Sequence, residues 1–350
     1  MTNRKIAVVL AVLLMCLLTA GCLKQTEKNT ETNQTKEDLS GKKYTIAISQ
    51  FADHTAMEKC KDGFLETLSD VGIVENQNLT LVYQNAGGDK ERAKLIAASF
   101  AANPPDLIYC VGSTSASVTL EAVRTAGVPI VFAAVTDPVS AELADEDGVQ
   151  RDNITGISAQ VSPQKQLELI QQILPDAKKI GIIYSEDEVN AVTTVESYRS
   201  CVSSYDMELV LKPVKTTYDI GAAADELLNE ADCILNIQDS MVTGKLSDIL
   251  EKSMQKLIPV FGSDQNQAEK GCIASFGEDY SAAGKKAGEL AVRILKGEAK
   301  VSQLSFISEE SEEICLNQEA AALLNITIPD TVMDEAKETY DKIGEQGEEE

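Results

Sequence analysis

Asp106-Leu107-Ile108-Tyr109, then a polar turn, a helical stretch and Val128-Pro129-Ile130-Val131-Phe132 ending in Thr136-Asp137, is echoed later in the chain. The echo is Asp232-Cys233-Ile234-Leu235, the turn Gln238-Asp239-Ser240, a helical stretch, and Ile258-Pro259-Val260-Phe261 ending in Ser263-Asp264. From the aspartate that opens each unit to its proline the spacing is 23 residues in the first copy and 27 in the second. An apolar β-like run, a turn, a helix and a second β-like run make a βαβ unit. Short units of this kind resemble one another by physics alone, so the case for an internal duplication rests on what surrounds them.

The surroundings repeat as well. Before the first unit, Tyr44 to Ser49 reads as a strand, and Thr55 to Val71 as an amphipathic helix with Ala56, Cys60, Phe64 and Leu68 four residues apart. Leu79 to Tyr83, Asp106 to Val111 and Val128 to Ala133 follow as strands, separated by helical stretches over Asp89 to Ala102 and Ser115 to Thr125. Lys179 to Tyr184, Glu208 to Lys212, Asp232 to Asn236, Ile258 to Phe261 and Gly271 to Ser275 repeat the order. The fold class expected is α/β, with two Rossmann-like parallel-sheet lobes joined by a hinge. The hinge is expected near Asn153-Ile154-Thr155-Gly156, with further crossings near Gly277 to Tyr280 and around Ser305; the long helix Ser281 to Leu295 then returns to the first lobe.

Composition supports two lobes and excludes several functions. At 350 residues the chain is at the upper limit for a single core, and 43% hydrophobic with 25% charged residues is a globular balance. A formal net charge of −25 argues against nucleic acid or an anionic membrane surface as a partner. One histidine, His54, leaves no material for a His-rich metal centre, so no metal and no cofactor are expected. Gly244-Lys245 lacks the rest of a phosphate-binding loop, no GxGxxG follows a strand, and no nucleophile pairs with His54, so an enzyme is not expected.

The ends read as an address and a tether. Arg4 and Lys5 precede the apolar run Ile6 to Ala20, which ends in Leu18-Thr19-Ala20-Gly21-Cys22. This is a signal-peptide pattern, because the run is short of the ~20 residues of a membrane span; an N-terminal anchor helix is the alternative. It resembles the bacterial lipoprotein signature, which implies cleavage after Gly21 and lipidation of Cys22. The protein would then be exported and lipid-anchored to the outer face of the cytoplasmic membrane, or on the periplasmic side where an outer membrane exists. The domain plan is a signal peptide (1–21), a flexible tether (22–43), lobe one (44–155 with 278–305), lobe two (156–277 with 306–335) and an acidic tail (336–350). Cys60, Cys110, Cys201, Cys233, Cys272 and Cys315 show no CxxC spacing and sit in apolar surroundings, which reads as buried thiols, although export also permits a disulfide.

Two lobes of this type hold ligands at the carboxyl ends of their strands. Reading the strand ends gives the candidate lining: Gln50, Phe51 and His54; Ser113, Thr114 and Ser115; Thr136 and Asp137; Ser185, Glu186 and Asn190; Asp239 and Ser240; Asp264; and Glu278 with Asp279. Ser113 to Ser115 precede a helix and suit a carboxylate, or else cap that helix. Asp137, Asp239 and Asp264 suit an ammonium group, or else a cap or turn. Arg92, Arg124, Arg151, Arg199 and Arg293 all lie away from strand ends, which disfavours phosphate, sulfate or dicarboxylate ligands. With no Trp, stacking platforms for a sugar are sparse.

These residues resemble the substrate-binding lipoproteins of the tryptophan/tyrosine ABC importer type, of the type I periplasmic-binding-protein fold. The resemblance covers roughly Tyr44 to Asp330. It is carried by Ile48-Ser49-Gln50-Phe51 with His54 and Gly63-Phe64, by Tyr83-Gln84-Asn85-Ala86 with Gly88-Asp89, and by Val135-Thr136-Asp137-Pro138. Asn153-Ile154-Thr155-Gly156, Gln166-Leu167-Glu168-Leu169-Ile170, and Gly284 with Ile294-Leu295-Lys296-Gly297 complete it. It implies a receptor that closes on an aromatic or hydrophobic amino acid and delivers it to an ABC permease, with Ser113 to Ser115 on the ligand carboxylate and Asp239 or Asp264 on the amine. The chain departs from the family pattern at Asn190-Ala191, at the acidic turn Ser185-Glu186-Asp187-Glu188 and at Gly112-Ser113-Thr114-Ser115, so the ligand side chain stays open. A ligand sensor of the same fold, or an importer receptor for a sugar or nucleoside, is the alternative.

Overall fold

A computed structural model of the chain describes residues 41–344, except 146, 148 and 309–311. The expected signal peptide, the expected lipidation site Cys22, most of the expected tether, and residues 345–350 of the tail lie outside the described residues.

The first half alternates up to β4 and then adds a further strand: β1 (Tyr44–Gln50), α1 (Thr55–Asp70), β2 (Leu79–Asn85), α2 (Lys90–Ala102), β3 (Leu107–Val111), α3 (Ser113–Val123), β4 (Ile130–Val135) and β5 (Ile154–Ser158). The second half runs α4 (Pro163–Ile173), β6 (Lys179–Ser185), α5 (Val189–Cys201), β7 (Glu208–Val214), α6 (Ile220–Leu227) and β8 (Cys233–Asn236). It continues with α7 (Ser240–Thr243), α8 (Leu246–Lys256), β9 (Val260–Asp264), α9 (Gln265–Lys270) and β10 (Ala274–Glu278). The strands pair in parallel in the order β2-β1-β3-β4-β5 in one sheet and β7-β6-β8-β9-β10 in the other, so the duplication read from the sequence is a duplication of topology. In each sheet the order reverses beside the first strand, and the loops leaving the strands diverge there to open a crevice at their carboxyl ends.

Local signals set the helix starts. Asp89 caps α2 through Arg92 N–H, and Ser162 caps α4 with Pro163 in its first turn. Gly271, at φ 121°, ends α9, so β10 begins at Ala274 and not at Gly271, and its last residue is the buried Glu278. The inner strands β3 and β4 are apolar because helices cover both faces of the sheet, whereas the edge strands β2 and β7 carry exposed polar residues; in lobe one Phe64 stacks on Tyr109 with ring centroids 4.0 Å apart. In lobe two, Gln166 of the α4 motif donates to the carbonyls of Gly262 and Phe276 and accepts from the Tyr198 hydroxyl, an internal tie of that core. All six described cysteines are free and buried.

After β10 come α10 (Tyr280–Lys296), β11 (Ile307–Ser308), β12 (Glu312–Asn317), α11 (Gln318–Leu323), α12 (Asp330–Glu335) and β13 (Glu338–Tyr340). Asp279 caps α10, which leaves the second sheet and packs along α1 of the first lobe. The two axes approach closely because the contact is made of glycine: a Cβ on Gly284 would stand 2.0 Å from the Cys60 carbonyl oxygen, and one on Gly63 2.4 Å from that of Ser281.

The boundaries differ from the sequence reading in three places. Ile154 to Ser158, expected to begin the hinge, is a full strand paired with β4, held by the buried Ile154 and Ile157, so the chain leaves lobe one after Ser158. Ile307 and Ser308 pair with Ile157 and Ser158, so the first sheet extends past residue 305. Glu338 to Tyr340, inside the expected acidic tail, pairs with Cys315 to Asn317, and Ile343 beyond it packs on the lobe-two core. The acidic composition there masks a short run that needs only a strand edge to pair with.

Candidate functional site

A narrow cleft, with a cavity volume of ≈ 30 Å³, lies between the strand ends of the two lobes. From the first lobe it is lined by His54 and Met57 at the start of α1 and by Ala134 and Thr136 at the end of β4, with Tyr280 where α10 begins. The second lobe contributes Asn190, Gln238, Asp239, Ser240, Thr243, Ser263, Asp264 and Gln267.

The lobe-two wall is a set of carboxylates held by the loops they terminate. Asp239 caps α7, accepting from Val242 N–H at 2.9 Å, while its other oxygen accepts from Ser185 N–H at 2.5 Å. Beside it Glu188 accepts from the N–H groups of Ser240 and Met241 at 3.1 and 3.0 Å and from the Asn190 amide at 3.3 Å. Both are almost fully buried, and burial, with the Glu188 charge next in weight, pushes the Asp239 carboxyl up to about 8. Burial likewise raises Glu188. Asp264 accepts from Asn266 N–H and the Gln267 amide at 2.9 and 2.6 Å, and burial raises it too. Gln267 is itself fixed, its oxygen accepting from Ser263 N–H and from the Asn236 amide at 3.1 Å each. The Ser263 hydroxyl, only 2% exposed as a residue, has no protein partner.

Across the cleft, the Nδ1 of the half-buried His54 is enclosed without a partner. Burial, then the Lys270 ammonium, bring this imidazole down to about 4 against the opposing pull of Glu58, so it is neutral at pH 7. Cross-lobe bonds complete the wall: Gln238 Nε2 donates to the Ala159 carbonyl and to the Tyr280 hydroxyl at 2.9 Å each, and Lys59 of α1 donates to Asn266 of α9. Among the described residues no Lys or Arg lines the cleft; Lys270 on α9, outside that lining, is the cation that acts on Asp264.

Of the residues read from the sequence, the structure brings His54, Thr136, Asn190, Asp239, Ser240 and Asp264 together in this cleft. Ser113 and Thr114 line a neighbouring recess with Lys90, Ser140, Asp187 and Val189. The others lie elsewhere, each for a definite reason. Ser115 is turned inward, donating to the Ser49 carbonyl and bonded to the Ser49 hydroxyl; Gln50 is buried, donating to Ala52 O and Glu58; Phe51 is part of the core against Gly112. Asp137 ties down the turn after Pro138 through Val139 N–H and Ser140. Ser185 offers its N–H to Asp239, Glu186 stands at the rim 3.6 Å from Lys215, and Asp279 caps α10. Sequence reasoning missed Met57, Gln238, Glu188 and Gln267. Gln238 and Glu188 stood in turns already singled out as polar, whereas Met57 and Gln267 enter on helix faces with no signal of their own.

The family model for ABC transporter substrate binding proteins matches residues 45–340. The tyrosine-binding protein of Clostridioides difficile is 30% identical over 325 residues, 93% of either chain. The structure of an ABC domain in complex with L-Trp from Streptococcus pneumonia is 26% identical, with a TM-score of 0.81 over 85% of this chain and 99% of that one. The ligand-free, open structure of a substrate-binding protein with adhesive properties from Clostridium difficile, 29% identical over 85% of this chain and 100% of that one, superposes with a TM-score of only 0.64. At similar identity the tryptophan-bound structure fits better than the open one, which matches the cross-lobe bonds of Gln238 and Lys59: the lobes stand closed.

Proposed function

The chain belongs to the ABC transporter substrate-binding proteins, and from that premise we propose that it receives an aromatic or hydrophobic amino acid between its lobes. As the solute-binding component of an ABC transporter it is a binding protein and not an enzyme. The observation that carries the ligand assignment is the charge of the cleft: Asp239 and Asp264 line it, while His54 is neutral and no Lys or Arg among the described residues lines it. Buried carboxylates without a counter-charge are costly alone and favourable beside an ammonium, which a free amino acid supplies. Met57, Ala134 and the Tyr280 ring offer apolar surface for the ligand side chain, and the Ser113–Thr114 recess offers hydroxyls to its carboxylate. A relative named for tyrosine and a structure holding L-Trp support the aromatic class.

The ligand contacts both lobes and so favours the closed form, which docks on a membrane permease. Lipidation at Cys22 keeps the receptor at the outer face of the membrane beside that permease.

The test is thermal unfolding of the purified protein against the twenty amino acids, sugars and nucleosides. A ligand at 100 times its dissociation constant adds about 2.7 kcal/mol, which moves the midpoint by degrees. A shift confined to aromatic or hydrophobic amino acids is expected; a shift with a sugar or nucleoside and none with an amino acid overturns the assignment.

A further inference from the structure

Two carboxylates, Glu188 on the β6–α5 loop and Asp239 on the β8–α7 loop, are buried at one place in the cleft wall and accept from consecutive N–H groups, Ser240, Met241 and Val242. We propose that in the empty cleft these two residues hold one proton between them, and that the ammonium of an incoming amino acid displaces it, so that ligand uptake releases a proton.

The inference rests on the amino-acid reading of the site and deepens it. Geometry decides where the charge and the proton sit. Glu188 has three donors, two backbone N–H groups and the Asn190 amide, whereas Asp239 has two. Glu188 is therefore the better-solvated anion and Asp239 carries the proton.

The charged groups facing the pair offer no alternative counter-ion. On the loop of Glu188, Glu186 is turned to Lys215 at the rim and Asp187 to the neighbouring recess. Asp264 at the end of β9 adds negative charge, and Lys270 on α9 acts on Asp264 and His54. Lys245, after α7, is paired with Asp248, and His54 across the cleft is neutral. An independent sign that this wall awaits a ligand is the buried Ser263 hydroxyl, which lines the same cleft without a partner.

The exchange balances. The protein with its shared proton takes up a zwitterion of zero net charge, the ammonium replaces the proton as the cation beside the pair, and the proton goes to solvent. Affinity therefore rises with pH, by tenfold per unit where one proton is released, and levels off once the empty pair has ionised.

The experiment is calorimetric titration of the purified protein with L-tryptophan and L-tyrosine at pH 6, 7 and 8, each in two buffers of different ionisation enthalpy. The expected result is a dissociation constant that falls up to tenfold per pH unit, with close to one proton released at pH 6 to 7. Glu188→Gln, checked by its melting temperature, should release fewer protons than the wild type at pH 7, because the repulsion that adds to burial in holding the proton is gone. If that variant does not fold, the wild-type series decides alone. Binding with a pH-independent dissociation constant and no proton release overturns the coupling and leaves the amino-acid reading standing. Failure of every amino acid to bind overturns that reading, and the coupling with it.

Discussion

Replacing Gln238 by Ala should weaken ligand binding by roughly 5- to 150-fold without unfolding the protein. Gln238 belongs to the second lobe, yet its amide donates to the carbonyl of Ala159, just past the last long strand of the first sheet, and to the hydroxyl of Tyr280, where α10 turns back to the first lobe. Each is a 2.9 Å bond in a partly buried setting, worth about 0.5–1.5 kcal/mol net, so the pair contributes about 1–3 kcal/mol to the closed form. A ligand that binds the closed form inherits that loss in full when the empty protein is mostly open, and 1–3 kcal/mol is roughly the 5- to 150-fold stated. Tyr280→Phe removes one acceptor and should cost roughly 2- to 12-fold, and the double variant should match Gln238→Ala because the two changes delete a shared bond. The chain contains no Trp, so L-tryptophan excited at the red edge, where the nine Tyr do not absorb, can be followed by its own fluorescence. Affinity of Gln238→Ala within twofold of wild type would refute the claim that these bonds hold the lobes together.

Three further outcomes follow from the same geometry. Asp264→Asn keeps a capping side chain on α9 but removes the charge, so binding of an amino acid should fall at least tenfold while the melting temperature stays within a few degrees; full affinity would remove Asp264 from the site. Gly284→Ala drives a methyl group to 2.0 Å from the Cys60 carbonyl oxygen and should destabilise the fold by about 1–3 kcal/mol in urea unfolding, an unchanged midpoint being evidence against the close α1–α10 packing. The pH dependence of stability carries opposing contributions, of which His54 and Asp239 give the clearest. His54, lowered from 6.5 to about 4, makes the unfolded chain bind more protons over that range, so this term raises stability as pH climbs from about 4 to 6.5. Asp239, raised from 3.8, makes the native state bind more protons, so its term lowers stability as pH climbs toward about 8. Above pH 6.5 the His54 contribution is complete, and the Asp239 contribution alone should cost the ligand-free protein up to about 1.4 kcal/mol per pH unit between 6.5 and 8, a slope that Asp239→Asn flattens.

The fold was legible because its signals are local and repeated: apolar runs, helical spacing, and a βαβ unit whose closing proline and acid recur. Less legible were the boundaries. Ile154 to Ser158 reads as a link because Gly156 and the polar residues around it resemble a hinge, and only the pairing with β4 reveals a strand. Glu338 to Tyr340 owes its strand to the free edge of β12, which lies far off in the sequence.

Strand ends pointed to the cleft, and Asp239 and Asp264 stand in it, but the sequence carries no sign of which way a side chain turns at a strand end. Ser115 goes to Ser49 and Asp137 to its own turn, because a backbone or hydroxyl partner lay within reach. Gln238 and Tyr280 gain their part in the site from the apposition of two lobes, which is a property of the closed fold and of no single segment.

The most direct test of an amino-acid site built on unpaired carboxylates compares, for whichever of L-tryptophan and L-tyrosine binds, the amino acid with its analogue lacking only the amine, indole-3-propionate or 3-(4-hydroxyphenyl)propionate. Removing the partner of a buried charge costs about 2–5 kcal/mol, so the deaminated analogue should bind at least roughly 30-fold more weakly. Equal affinity for the two would contradict the account, because the ammonium would then have no carboxylate to meet in the cleft.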